Sequence, residues 1–254
     1  MNRPTVLVTG GAKRIGAAIS RRFGQAGWHV IIHCNRSLAE AQDLAAALPS
    51  AEALQCDLAD TGAGIAMVRR LAARLDDWRA LVNSAAVFPP DNADQMELAV
   101  FKQVMQVNAK APVRMAQAYL QVARSKAGRR VIQLTDQKLA NPNPDFFSYT
   151  MSKHALAATV PMMAMATADP ADRVYGLAPG AILASHDQSE REAEVSHRLN
   201  LLGRRTSAEE VADAALFLAQ GPLASGQTLF VDSGQHLLAQ PRDVLYLARE
   251  GEQA

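Results

Sequence analysis

Tyr149 and Lys153 stand four residues apart, so on a helix a phenol and an ammonium share one face. A cation beside a phenol favours the phenolate. It draws the phenol down from its ordinary pKa of about 10 and makes it a proton donor usable near neutrality. Thirteen residues before Tyr149 is Asp136. An ionised carboxylate only accepts hydrogen bonds, so it cannot polarise a ketone, and its charge opposes a neighbouring tyrosinate. It suits a substrate that presents N–H donors, or an imine nitrogen that must receive a proton.

A second cluster lies near the start of the chain. Thr9-Gly10-Gly11-Ala12-Lys13-Arg14-Ile15-Gly16 follows an apolar run and opens a helical pattern. A dinucleotide pyrophosphate would meet free backbone N–H groups and the positive end of a helix there. An unphosphorylated ribose is usually held by a carboxylate after the second strand, but that strand ends His33-Cys34-Asn35-Arg36-Ser37. Arg36 would attract a 2′-phosphate, and Arg14 puts a second forked donor in the glycine turn. The pair favours NADP(H) over NAD(H).

The elements that must hold these residues follow from periodicity. Short β-branched runs at Thr5–Thr9, His29–His33, Glu52–Cys56, Ala80–Asn83, Arg130–Thr135, Arg173–Leu177 and Gln227–Val231 read as strands. Helical patterns separate them at 14–25, 37–48, 60–76, 95–125, 147–168 and 207–219. Alternation of this kind predicts right-handed crossovers and a doubly wound parallel sheet covered on both faces. No linker or repeat divides the chain, so residues 1–254 are expected to form a single domain. Asn141-Pro142-Asn143-Pro144 and the polar stretch 184–200 are expected to be irregular substrate loops, the latter a lid. The tail 241–254 is left open between folding over a neighbouring subunit and fraying.

In this order, the motifs resemble the short-chain dehydrogenase/reductase family over essentially the whole length. They are Thr9–Gly16, Asp57-Leu58, Asn83-Ser84-Ala85-Ala86, Asn108, Tyr149 with Lys153, Pro179-Gly180 and Gly226-Gln227-Thr228 through Asp232-Ser233-Gly234. The resemblance implies a Rossmann-type sheet of about seven strands. It implies a nucleotide site including Gly10, Lys13, Arg14, Ile15, Asn35, Arg36, Ser37, Asp57, Leu58, Asn83, Ser84, Ala85, Pro179 and Gly180. Tyr149 would lie beside the nicotinamide, Lys153 would hold its ribose, and Asn108 would support a proton-relay water.

The family normally carries Ser where this chain has Asp136, and that departure resembles the pteridine reductase branch, which includes the dihydromonapterin reductases. Arg14 in place of the middle glycine, His33 with Arg36-Ser37, Phe88 and Gly234–Leu237 are similar to that branch too. The resemblance implies Phe88 stacked on one face of a pterin, Arg14 at the pterin edge and cofactor phosphate, and Asp136 and Tyr149 delivering protons. The chemistry is coherent by itself. A pterin offers a flat π-face to an aromatic, N–H donors to a carboxylate, and a C=N bond that takes hydride at carbon and a proton at nitrogen. Ser84 and Ala86 depart from residues common in relatives. Two other functions are open: a general carbonyl or alcohol dehydrogenase, and a non-catalytic NADP(H)-binding regulatory protein.

Composition narrows the partners. The 254 residues carry 26 Lys+Arg against 25 Asp+Glu, which argues against nucleic acid and polyanions. Cys34 and Cys56 show neither a disulfide framework nor metal-ligand spacing, and no metal is expected. Met1-Asn2-Arg3-Pro4 leads straight into the first strand without an apolar leader, and no stretch is long enough to span a membrane, so a cytoplasmic location is expected. The segment 155–168 is apolar almost all round and must be buried by something; with the resemblance, a homotetramer is expected.

Overall fold

The computed structural model describes residues 3–184 and 188–251. Its strands are β1 (Thr5–Thr9), β2 (His29–Cys34), β3 (Ala51–Gln55), β4 (Trp78–Asn83), β5 (Arg130–Leu134), β6 (Arg173–Pro179) and β7 (Thr228–Val231). All pair in parallel, in the order β3-β2-β1-β4-β5-β6-β7. The winding reverses between β1 and β4, which opens a crevice beyond the carboxyl ends of the strands.

Helices follow in the order α1 (Arg14–Gln25), α2 (Leu38–Ala47), α3 (Ala63–Arg74), α4 (Leu98–Val104), α5 (Ala111–Val122), α6 (Phe147–Ala166), α7 (Glu190–Ser196), α8 (Ala208–Gln220) and α9 (Val244–Gly251). Successive strand residues point to opposite faces, and here both sets are apolar. Val6, Val8, Val30, Ile32, Val82 and Ile132 pack under α1, α2 and α8. Leu7, Ile31, Leu81, Val131 and Val174 pack under α3, α5 and α6. No helix among the described residues is long and apolar enough to cross a membrane.

Three segments differ from the sequence expectation. The pattern 95–125 is α4 and α5 joined by a π-helical segment, Met105–Lys110. A π turn widens the helix locally, and this one contains Asn108, whose buried side chain reaches across to Val87. Within 184–200, residues 185–187 lie outside the described residues, and α7 replaces irregular chain. A reciprocal capping box between Ser189 and Glu192 starts it, a pattern legible in Ser189-Glu190-Arg191-Glu192. In the tail, α9 packs back on the fold and buries Val244, Leu245 and Ala248, and residues 252–254 lie outside the described residues.

The glycine turn is built on close backbone approach. Gly10 has φ +62°, and a Cβ there would lie 3.0 Å from the Ala85 Cα. A Cβ on Gly16 would lie 2.1 Å from the Gly10 carbonyl oxygen, which is backbone and cannot swing away. Gly16→Ala is therefore expected to open the turn and lower stability by about 1–3 kcal/mol. Urea unfolding read alongside dinucleotide binding checks this, and both should weaken.

Candidate active site

The glycine turn is tied to the sheet through His33. Gly10 N–H donates to His33 Nδ1 at 3.1 Å, and Gly11 N–H donates to the His33 carbonyl at 2.9 Å. Because Nδ1 accepts, the ring proton of the neutral imidazole sits on Nε2, which faces the Cys56 carbonyl at 3.0 Å. Burial lowers the His33 pKa to about 4, so the latch stays neutral. Thr9 Oγ1 then accepts from the backbone N–H of both Ser84 and Ala85, at 3.0 Å each, which fixes the end of β1 against the end of β4.

Arg14, where the resembled family has glycine, keeps a glycine conformation at φ +54°. For a side chain with a Cβ that geometry costs about 1–3 kcal/mol. The guanidinium donates to the carbonyls of Leu183 and Ala184 at 3.1 and 2.9 Å. It thus bridges the glycine turn and the loop after β6. Lys13 pairs with Glu40 at 2.5 Å on the surface. Asn35 donates to Asp57 at 3.2 Å, and Asp57 also accepts from the Ala59 N–H. Arg36 is exposed at the rim.

One cavity of about 540 Å³ runs along the carboxyl ends of the strands. It brings together Gly10, Lys13, Arg14, Ile15, Asn35, Arg36, Asp57, Leu58, Ser84, Ala85, Phe88, Asp136, Tyr149, Lys153, Pro179 and Gly180. Three expected site residues do not line it. Asn83 is buried behind the wall, donating to Gln133 Oε1 at 2.9 Å and to the Pro112 carbonyl. Ser37 precedes α2 and makes no side-chain cap. Asn108 lies in the core, where its amide accepts from the Val87 N–H and donates to the Val87 carbonyl, both at 2.8 Å, and donates to Ser152 Oγ at 3.3 Å. Both of its N–H donors are engaged. It holds the segment that carries Phe88.

Asp136 and Tyr149 face each other directly. Tyr149 Oη donates to Asp136 Oδ2 at 2.9 Å, and Asp136 Oδ1 accepts the Lys138 N–H at 2.9 Å. Lys153 Nζ donates to the Leu134 carbonyl at 2.6 Å and sits 5.4 Å from the Tyr149 ring centroid. This corrects the expected electrostatics. Tyr149 is pushed well above the usual phenol range, by desolvation first and by Asp136 second, because the carboxylate is its hydrogen-bond partner and the ammonium points at a carbonyl. Desolvation also raises Asp136, against the pull of Lys138 and Lys153. It lowers Lys153 to about 8, although Asp136 favours the charged form.

Phe88 stacks on Phe146 with centroids 4.1 Å apart and meets Tyr149 edge-on at 4.5 Å. Phe146 backs one face of Phe88, and Phe88 is 37% exposed on the cavity wall. Phe146 takes φ +52° just before α6, and the Asp91 carboxylate caps that helix through the Ser148 N–H. The platform and the proton-bearing Tyr149 are thus held by one helix start.

Several cavity residues escaped the sequence: Lys138, His197, Gln235, and Asp243, Val244 and Leu245 of the tail. Asp243-Val244-Leu245 did carry a signal, a helix-capping acid before an apolar turn. Their place in the cavity depends on docking across the fold. Among the described residues no cluster of three or more His, Cys, Asp or Glu side chains could hold a metal ion.

A doubly wound parallel sheet whose switch point carries a glycine turn, with a tyrosine and a lysine over the same cavity, defines a nucleotide-dependent oxidoreductase architecture. The chain belongs to the short-chain dehydrogenase/reductase family: a family model described as enoyl-(acyl carrier protein) reductase matches residues 10–236. It is similar to the structure of FolM alternative dihydrofolate reductase 1 from Brucella canis complexed with NADP, at 32% identity and TM-score 0.88, covering 95% of this chain and 97% of that one. The Brucella suis protein of the same description, also in complex with NADP, is 34% identical with TM-score 0.87, covering 94% and 97%. Pteridine reductase 1 of Leishmania tarentolae is 29% identical over 92% of this chain and 96% of its own.

The depressed His33 value sets a pH dependence. The unfolded histidine takes up a proton near pH 6.5 and the folded one only near 4, so stability falls as pH drops through that window. His197, lowered to about 4 by burial and by Arg205, adds to the same slope. For His33 the loss is roughly 2–3 kcal/mol. Urea unfolding between pH 7 and 4.5 is expected to show it, and His33→Asn should flatten the slope.

Proposed function

We infer that the protein is an NADPH-dependent reductase of a dihydropterin-type ring, acting on a C=N bond. The observation that carries this is the 2.9 Å hydrogen bond between Tyr149 and Asp136, at a position where the resembled family keeps a hydroxyl donor. A carboxylate there matches the N–H edge of a pterin and can hold a proton for a ring nitrogen. The open face of Phe88 suits stacking against a flat ring, and its other face is backed by Phe146.

The residues around the glycine turn fit a phosphorylated dinucleotide. Gly10 and Gly16 let the turn fold tightly where a Cβ would strike backbone, and Lys13, Arg14 and Arg36 supply cations where the second strand ends without a carboxylate. When bound, the cofactor supplies hydride from its dihydronicotinamide to the ring carbon. Asp136, raised by burial, holds the proton that goes to the ring nitrogen, directly or through Tyr149 Oη. Tyr149, raised further, stays a neutral hydroxyl donor. Lys153, anchored on the Leu134 carbonyl, balances the Asp136 charge after the proton has left. Asn108 acts by position, keeping the Phe88 segment in register.

The same inference extends to assembly and location. In the single chain, Met162 and Met165 on α6 are 61% and 81% exposed, an apolar strip that a second copy would cover in a homotetramer. A small-molecule substrate in the cytoplasm fits the chemistry.

Purified protein with NADPH is expected to oxidise it in the presence of dihydropterins or dihydrofolate. Turnover with ketones or quinones and none with pterins would overturn the assignment. Asp136→Asn should lower kcat for the pterin about 100- to 1,000-fold with NADPH affinity retained. Arg36→Asp should shift preference from NADPH toward NADH, measured as the ratio of kcat/KM for the two; an unchanged ratio removes Arg36 from phosphate recognition.

A further inference from the structure

The reaction read above uses neither Lys138 nor Asp243, yet both line the cavity beside Asp136. Lys138 is 4% exposed and sits two residues beyond Asp136, on the turn Gln137–Leu139. Its Nζ meets Asp243 Oδ2 at 2.6 Å, Asn143 Oδ1 at 3.1 Å and the Asp145 carbonyl at 3.2 Å. Three ammonium donors thus have three acceptors, of which only Asp243 carries charge. A buried ammonium left with neutral partners alone would project its field onto neighbouring carboxylates. Asp136 is one that feels this charge, and it already accepts the Lys138 backbone N–H.

Asp243 is held with little freedom. Its Oδ1 accepts the Leu245 N–H at 3.0 Å, and its carbonyl accepts from Tyr246 and Leu247, so it caps α9. Its own N–H donates to Asp145 Oδ2 at 2.8 Å, and the neighbouring Arg242 pairs with the same carboxylate. The tail is therefore seated on the loop before α6 by Asp145 and on the turn after β5 by Lys138. The charged and titratable groups facing Asp136 are Lys138 on its own turn and Tyr149 and Lys153 on α6, with Asp243 delivered by the tail.

We propose that Asp243 is a positioning residue for the reaction: by neutralising Lys138 it shields Asp136 from that cation and lets the Asp136 carboxyl hold the proton destined for the substrate. Docking of the C-terminal segment and proton supply are then one event. With the tail seated, Asp136 faces Lys153 and a Lys138 whose charge Asp243 offsets. With Asp243 absent the full Lys138 charge draws Asp136 toward its ionised form. The rise of Asp136 from its ordinary value through burial, opposed first by Lys138, shows that Lys138 is the cation to offset.

The proposal rests on Asp136 as the proton holder, so the test includes that residue. The measurement is kcat/KM for a dihydropterin against pH at saturating NADPH, on full-length protein. The wild type should lose activity on the alkaline side as Asp136 ionises. Asp243→Asn should move that limb toward acid by about one pH unit, Lys138→Met should move it toward alkali, and the double variant should bring it back close to the wild type. If Asp243→Asn does not fold, Lys138→Met compared with the double variant carries the same test, and the double variant is the better tolerated because both members of the pair are replaced by neutral groups. A limb that stays in place in the single variants, with activity reduced equally at every pH, overturns the proposal and leaves Asp243 a structural cap. Asp136→Asn separates the two levels. A limb that persists in it refutes Asp136 as the proton holder, whereas a limb lost there but unmoved in the Asp243 and Lys138 variants refutes only the role given to Asp243.

Discussion

A parallel sheet packed on both faces has only its strand ends free for chemistry. Here Val6, Val8, Leu7 and Ile31 and their neighbours bury both faces, so polar function is confined to the edge where β1, β4, β5 and β6 end. The reversal of winding between β1 and β4 keeps two crossovers from closing over that edge. Everything the site contains depends on this constraint: the glycine turn after β1, the Ser84-Ala85 turn after β4, Asp136 after β5 and Pro179-Gly180 after β6.

Within that edge, burial and charge act against one another. Asp136, Tyr149 and Lys153 are each drawn toward their neutral forms by desolvation; Asp136 and Lys153 hold one another partly in check, whereas Asp136 pushes Tyr149 further toward the neutral phenol. Burial thus raises the carboxyl and lowers the lysine, each away from its charged form. The phenol is poised as a donor instead of a phenolate. The left-handed backbone at Arg14 and Phe146 shows strain stored beside the same cavity, at one position that links two loops and at another that starts α6.

Much of the fold was legible. The strands and most helices appear in the sequence as β-branched runs and amphipathic periods, and their observed bounds differ by a few residues. The exceptions are instructive. The π-helical segment Met105–Lys110 has ordinary helical periodicity, and only the bond from Asn108 to Val87 marks it as special. The capping box of α7 was written in Ser189 and Glu192 but was outweighed by the polarity of the stretch around it. Asn83, Ser37 and Asn108 fell in motif positions and so were expected at the cavity; Asn83 and Asn108 support its wall from behind, and Ser37 stands before α2 outside the lining.

The sequence by itself determined the doubly wound sheet, the dinucleotide turn and the identity of the Tyr149, Lys153 and Asp136 groups, because periodicity and local motifs are properties of neighbouring residues. Only the tertiary structure decided which group neighbours which. Lys153 turned out to serve the Leu134 carbonyl, Asp136 to hold Tyr149, and the tail to bring Asp243 to Lys138 across more than one hundred residues of chain. Protonation follows from distance and burial, and both are set by contacts between segments remote in sequence, which no local pattern records.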